Sequence, residues 1–190
     1  MKKELPNFEL KISDENSDGV FAISLVDQPA IEKDFVLLSK IKVDLKVTNE
    51  LKREVVGLAL VPNKKIYRVK DGEEFTISFN EETIYKTQEL YMKNMYNNSV
   101  TLEHEKKTNG VCLVESWIVE DTKNDKSNLY NLNAPKGSWV VKMKVDNDEV
   151  LQGIKNGTYN GFSIEGKYDH VNENLSDNTL EAIKDFLRSI

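Results

Sequence analysis

Apolar and polar residues alternate with period two along much of the first half of the chain, the pattern of half-buried strands. "FELKI" (8–12) and "VFAISLV" (20–26) are short β-rich runs separated by the turn-rich "SDENSDG". "IKVDLKVT" (41–48) places Ile41, Val43, Leu45 and Val47 on one face. "EVVGLALVP" (54–62) is apolar on both faces, as a central strand is, and stops at Pro62. "KIYRVKDGEEFTISF" (65–79) predicts two strands folded about Asp71-Gly72.

The period changes after Asn80. In "NEETIYKTQELYMKNMYNN", Ile84, Tyr91, Met92 and Met95 recur at helical spacing, with Asn80 as N-cap and acids in the first turn. Strands resume in "SVTLEHE" (99–105), in "VCLVESWIVED" (111–121) and in "SWVVKMKVD" (138–146). "NDEVLQGIKNG" (147–157) predicts a short helix closed by Gly157, and "SDNTLEAIKDFLRSI" an amphipathic helix carrying Leu180, Ile183, Leu187 and Ile190. Many strands, short loops and helices at 81–97, 147–156 and 177–189 predict an α+β fold. Its expected form is a mostly antiparallel β-barrel, closed or nearly so, with about three flanking helices. Residues 1–170 are expected to form one domain, and 171–190 a C-terminal helix that packs on it or leads into an extension.

Composition narrows the function. With 190 residues, 39% hydrophobic and 31% charged, the chain has globular composition and enough length for a real core. A net charge of −6 with interspersed signs lacks the basic footprint of a nucleic-acid binder. No apolar run approaches the roughly 18–20 residues of a membrane span, and "MKKELPNFEL" has no apolar core for a secretory signal. Cys112 is the single cysteine, so an intramolecular disulfide and a thiolate-rich zinc site are both excluded. The histidines are His104 and His170, and "HEKKT" (104–108) lacks the second histidine of a metalloprotease helix. There is no phosphate-binding loop and no dinucleotide fingerprint. No metal or cofactor is expected, and a histidine base must be one of these two.

One stretch carries candidate chemistry. In "NGTYNGFSIEGKYDH" (156–170), Phe162 and Ile164 point one way along a strand, and Ser163 and Glu165 the other. A serine needs a base within hydrogen-bond reach to act as a nucleophile. The spacing Gly-Phe-Ser-Ile-Glu-Gly is one residue too long for the Gly-x-Ser-x-Gly elbow, and a strand follows it rather than a helix.

"VLQGIKNGTYNGFSIEG" (150–166), with "VTLEHE" (100–105) upstream and "GSWVVKMKVDNDEV" (137–150) before the helix, resembles the prohead, or capsid maturation, serine proteases of tailed bacteriophages. The likeness covers about residues 95–168. These proteases are similar in fold to the herpesvirus assembly proteases. The resemblance implies a serine endopeptidase with Ser163 as nucleophile and His104 as base on neighbouring barrel strands. "AISLVDQPAIEKDF" (22–35) is similar to a segment that such proteases carry after the serine, whereas here it precedes the histidine. A circular permutation would account for that order, and "FAISLVDQPA" is then expected as a barrel strand beside the strand of His104 or of Ser163. In relatives with the usual order an acidic residue stands just before this motif's "xSLV", where this chain has Ala22. The third member of the site is therefore open: Glu115 is the first candidate, on a strand expected to fold back along 99–105, with Asp27 and His170 as alternatives.

The implied substrates are capsid scaffold, major capsid protein and the enzyme itself, inside an immature capsid in the host bacterial cytoplasm. No nucleic-acid or membrane partner is implied, and the oligomeric state is open, a homo-oligomer included. The rival reading is a capsid- or scaffold-associated structural protein that keeps the barrel without catalysis.

Overall fold

The computed structural model describes residues 5–27, 46–49, 53–70 and 72–171. In chain order the strands are β1 (Asn7–Lys11), β2 (Gly19–Val26), β3 (Lys46–Asn49), β4 (Glu54–Leu60), β5 (Ile66–Lys70) and β6 (Glu73–Phe79). Helix α1 (Glu81–Lys93) follows, then β7 (Val100–Leu102), β8 (Lys106–Lys107), β9 (Val111–Ile118) and β10 (Trp139–Val145). Helix α2 (Asp148–Lys155), β11 (Gly161–Lys167) and β12 (Asp169–Val171) complete the described chain.

Both helices start where the sequence says they should. The Asn80 side chain accepts from the Thr83 N–H, and Asn147 does the same for Val150, each satisfying a donor that the first turn leaves open. Glu81 and Glu82 in one helix, and Asp148 and Glu149 in the other, lie at the positive end of the helix dipole. After α2 the chain reverses at Gly157, whose φ of 80° suits a residue without a Cβ. Among the described residues no helix is long and apolar enough to cross a membrane.

The expected barrel is not what forms. The described strands make three four-stranded sheets, ordered β12-β1-β6-β5, β3-β4-β10-β9 and β11-β2-β7-β8. No sheet closes on itself, since each ends in two strands with a single ladder neighbour. Two of the sheets are mixed: β1 runs parallel to β6, and β2 parallel to β7. These long-range parallel pairings break the hairpin-by-hairpin path that short loops suggest. The architecture is α+β with two α-helices among the described residues. The expected third helix, at 177–189, and the "QPAIEKDF" segment lie outside them.

The core lies between the sheets and α1. Phe8, Phe75, Phe79, Tyr91 and Trp139 are each at most 2% exposed, and burial of such side chains contributes roughly 1.5–3 kcal/mol apiece. Helix α1 packs beside β2, β9 and β10 and buries Ile84, Leu90 and Tyr91.

The third sheet explains why a serine sits between Phe162 and Ile164. Three rows cross it in register: Phe162–Leu25–Leu102, Ser163–Ser24–Thr101 and Ile164–Ile23–Val100. The outer rows supply Phe162, Leu25, Ile23 and Val100 to the main apolar core. The middle row is hydroxylic and projects from the opposite face. At the end of β11 the ladder shifts register between Glu165 and Gly166. A Cβ on Gly166 would fall 2.6 Å from the Gly19 carbonyl oxygen, so glycine is what allows the two strands to approach there.

Candidate active site

Ser163 is 7% exposed and is the direct ladder partner of Ser24, which is fully buried. The two strands come from opposite ends of the described sequence. Beyond β2 lies β7, whose last residue, Leu102, pairs with Leu25. The chain then turns over residues 103–105 into β8. His104 sits in this turn.

The turn is strained. Glu103 and His104 have φ of 50° and 59°, and the Glu105 N–H closes the turn on the Leu102 carbonyl at 3.0 Å. Positive φ at both central residues is the mark of a type I′ turn, which normally takes Asn-Gly. A residue with a Cβ costs about 1–2 kcal/mol in this region. Three hydrogen bonds hold the turn nonetheless. Glu103 N–H donates to the Leu25 carbonyl at 3.0 Å, the Glu103 carboxylate accepts from Asp27 N–H at 2.6 Å, and His104 N–H donates to Ser24 Oγ at 3.0 Å. Ser24, paired with Ser163 across the ladder, is thus the residue whose hydroxyl holds the histidine turn. All three bonds tie the turn to β2 or its end.

The carboxylate beside His104 is Glu165. Its Oε1 lies 3.3 Å from His104 Nδ1 and also accepts from the Thr101 hydroxyl. The Glu165 side chain is 16% exposed and the imidazole 42%. Glu165 shares a strand face with Ser163, and its ladder partner on β2 is the small Ala22. A carboxylate at Nδ1 favours the proton on that nitrogen and leaves Nε2 free to accept one.

The other candidates are placed elsewhere. β9 does not fold back along β7; it pairs with β10 in the second sheet, which puts Glu115 opposite Lys142. The Glu115 carboxylate accepts from Lys126 and, at 2.7 Å, from Lys142. Partial burial pushes the Glu115 carboxyl up, but the hydrogen bonds and charges of these lysines outweigh it and hold the carboxyl below its ordinary range. Desolvation likewise opposes the charge on Lys142, and Glu115 and Tyr130 overcome it, raising the ammonium above its usual range. This group clamps the 122–137 loop to the second sheet. His170 lies on β12 in the first sheet, its ring against Phe8 and its Nδ1 3.6 Å from Asp169. Asp27 accepts from the Asn160 side-chain amide at 3.0 Å, linking the end of β2 to the approach to β11.

Of the sequence-predicted residues, Ser163 and His104 are brought to one sheet but not to neighbouring strands as expected, since β2 lies between β11 and β7 and His104 is in the turn after β7. Glu115 lies in another sheet. Glu165 and Ser24 were missed as site residues. The alternation of "GFSIEG" already set Glu165 on the serine's face. The pairing of β11 with β2 agrees with the expectation, drawn from the resemblance, that residues 20–26 lie beside the strand of Ser163 or His104, though no local pattern in either strand signals it.

Among the described residues no group of three or more His, Cys, Asp or Glu side chains is arranged to hold a metal ion. Comparison with known families finds a match over residues 40–172 to the family described as "Putative phage serine protease XkdF". The matched stretch contains β7, the histidine turn and β11, while β2 lies ahead of it. No curated protein and no solved structure matches the chain.

Proposed function

The chain belongs to this family of phage serine proteases, and we propose that Ser163 is its nucleophile and His104 its general base. Ser163 Oγ attacks the scissile carbonyl carbon while His104 Nε2 takes its proton. The imidazolium then gives that proton to the leaving amine, and an acyl-enzyme remains on Ser163. Water, deprotonated by the same nitrogen, releases the new carboxyl terminus. Both nitrogens of His104 have work in this scheme: Nδ1 is held by the protein and Nε2 exchanges the proton.

The observation that carries this reading is the histidine turn. Two non-glycine residues are held in left-handed conformation there, and the N–H of His104 is secured by the ladder partner of Ser163. Backbone strain fixed by long-range bonds is a feature of sites where a side chain must be aimed.

The substrates of the proposed endopeptidase are capsid scaffold, major capsid protein and the enzyme itself, cleaved as the immature capsid matures in the bacterial cytoplasm. Purified scaffold and capsid protein incubated with the wild-type chain should yield defined fragments by intact-mass analysis, and Ser163→Ala and His104→Ala should yield none. Fragments of unchanged mass and amount from Ser163→Ala would overturn the assignment.

A further inference from the structure

We propose that Glu165 is the positioning carboxylate of this site, orienting His104 through Nδ1 from the same strand that carries Ser163. The inference rests on the reading of Ser163 and His104 as nucleophile and base, and adds to it the residue that makes the base competent.

Several observations converge on Glu165. Its Oε1 is 3.3 Å from His104 Nδ1, an ion-pair distance that a small ring rotation converts to a hydrogen bond. The same oxygen accepts from the Thr101 hydroxyl, so the carboxylate is fixed from β7 as well as from its own strand. Glu165 must cross the whole width of β2 to make these contacts. Its ladder partner there is the small Ala22, 6% exposed, and the contacts of Glu165 lie toward the row of Ser24 and Thr101. Its side chain is 16% exposed, and an ionised carboxylate in such a place needs partners, which Thr101 and His104 supply.

The other charges near the turn do not take this role. Glu103 is engaged with the Asp27 N–H, and Asp27 with the Asn160 amide. Glu105, Lys106 and Lys107 are exposed on the far side of the turn and on β8. With the Nδ1 proton held by Glu165, Nε2 is the basic nitrogen. The positive charge that appears on the ring when Ser163 is deprotonated then has a negative neighbour.

A fluorophosphonate tests the inference without knowledge of the natural cleavage site. Ser163 Oγ forms a bond to phosphorus, the P–F bond breaks, fluoride leaves, and the hydroxyl proton passes to His104. The labelling rate therefore reads activation of the serine by the histidine. Ser163→Ala and His104→Ala serve as controls for the underlying reading. Glu165→Gln keeps the shape of the side chain and an acceptor for Thr101, and is expected to fold as the wild type does by circular dichroism and thermal melting. Its labelling rate should fall by about 10²–10⁴-fold, as expected when the imidazole is no longer held in the productive tautomer. Ring 15N chemical shifts of His104 should show the Nδ1-protonated tautomer in the wild type and lose that preference in Glu165→Gln; a purely structural role for Glu165 would not change the tautomer.

A second variant guards against a folding defect. Ala22→Glu combined with Glu165→Ala moves the carboxylate to the middle strand, one strand nearer the histidine turn and on the same face. It should recover at least about tenfold of the lost rate, a small part of the deficit expected for the glutamine variant. Wild-type labelling at Ser163 together with an unchanged rate and tautomer in Glu165→Gln would overturn the role of Glu165 and leave the protease reading standing. Absence of wild-type labelling at Ser163 would overturn both.

Discussion

The backbone N–H of His104 donates to Oγ of Ser24 at 3.0 Å, across a sequence separation of 80 residues. Ser24 is also the ladder partner of Ser163, so one buried residue is tied to the serine strand by its backbone and to the histidine turn by its hydroxyl. Ser24→Ala removes the acceptor and leaves the N–H unpaired, at a cost of about 1–3 kcal/mol. The turn should then loosen, and misplacement of the imidazole by as little as an ångström should lower the cleavage rate by about 10²-fold. Urea unfolding and cleavage kinetics on the same preparation measure the two effects. A variant destabilised to this extent yet fully active would show that the bond serves folding alone.

Strain in the turn predicts a gain in stability on loss of function. His104 holds a φ of 59°, a conformation that asparagine adopts more readily. His104→Asn should therefore be as stable as the wild type or more stable by up to about 1 kcal/mol, with cleavage abolished. Chemical denaturation decides the matter, and a clear loss of stability would mean that the imidazole itself holds the turn together.

The Glu115 clamp predicts a pH-dependent stability unconnected with catalysis. Its carboxyl is held below the ordinary range, so the folded state binds that proton more weakly than the unfolded chain does. The stabilisation is fully present above the unfolded-state pKa and is lost as pH falls through the lowered folded-state value. Glu115→Gln should cost about 1 kcal/mol at neutral pH, a modest figure because the side chain is partly open to water. The difference from wild type should shrink in acid. Cleavage per folded molecule should be retained; a fall of orders of magnitude would return Glu115 to the catalytic site.

Gly166 predicts a geometric limit on the serine strand. With a Cβ 2.6 Å from the Gly19 carbonyl oxygen, Gly166→Ala must push β11 away from β2 at the bulge. Overpacking of this kind costs about 1–3 kcal/mol, and displacement of Glu165 next door should reduce activity beyond the loss of folded protein. Equal activity per folded molecule would show that the bulge does not position the carboxylate.

What was legible in the sequence was local. Alternation predicted most of the strands, the Asn80 cap predicted the start of α1, and the parity of "GFSIEG" set Ser163 and Glu165 on one face and Phe162 and Ile164 on the other. Strand partnership was legible only through the family resemblance, which set residues 20–26 beside the strand of Ser163 or of His104, where β2 lies. Residues 111–119 were expected to fold back along 99–105, but β9 leaves for another sheet and β7 pairs in parallel with β2. A parallel pair between strands so distant in sequence leaves no mark in the period of either strand. For that reason the third candidate was sought at Glu115, where a carboxylate lies inside an apolar strand, and not at Glu165. The barrel expectation failed for the same cause, since closure depends on which edges meet.

The most direct test of the central claim is the position of the covalent adduct after fluorophosphonate treatment, read by tandem mass spectrometry of the digested protein. The account predicts a single adduct on Ser163 in the wild type and none in His104→Ala. An adduct on another serine, or equal labelling of Ser163 without His104, would contradict it.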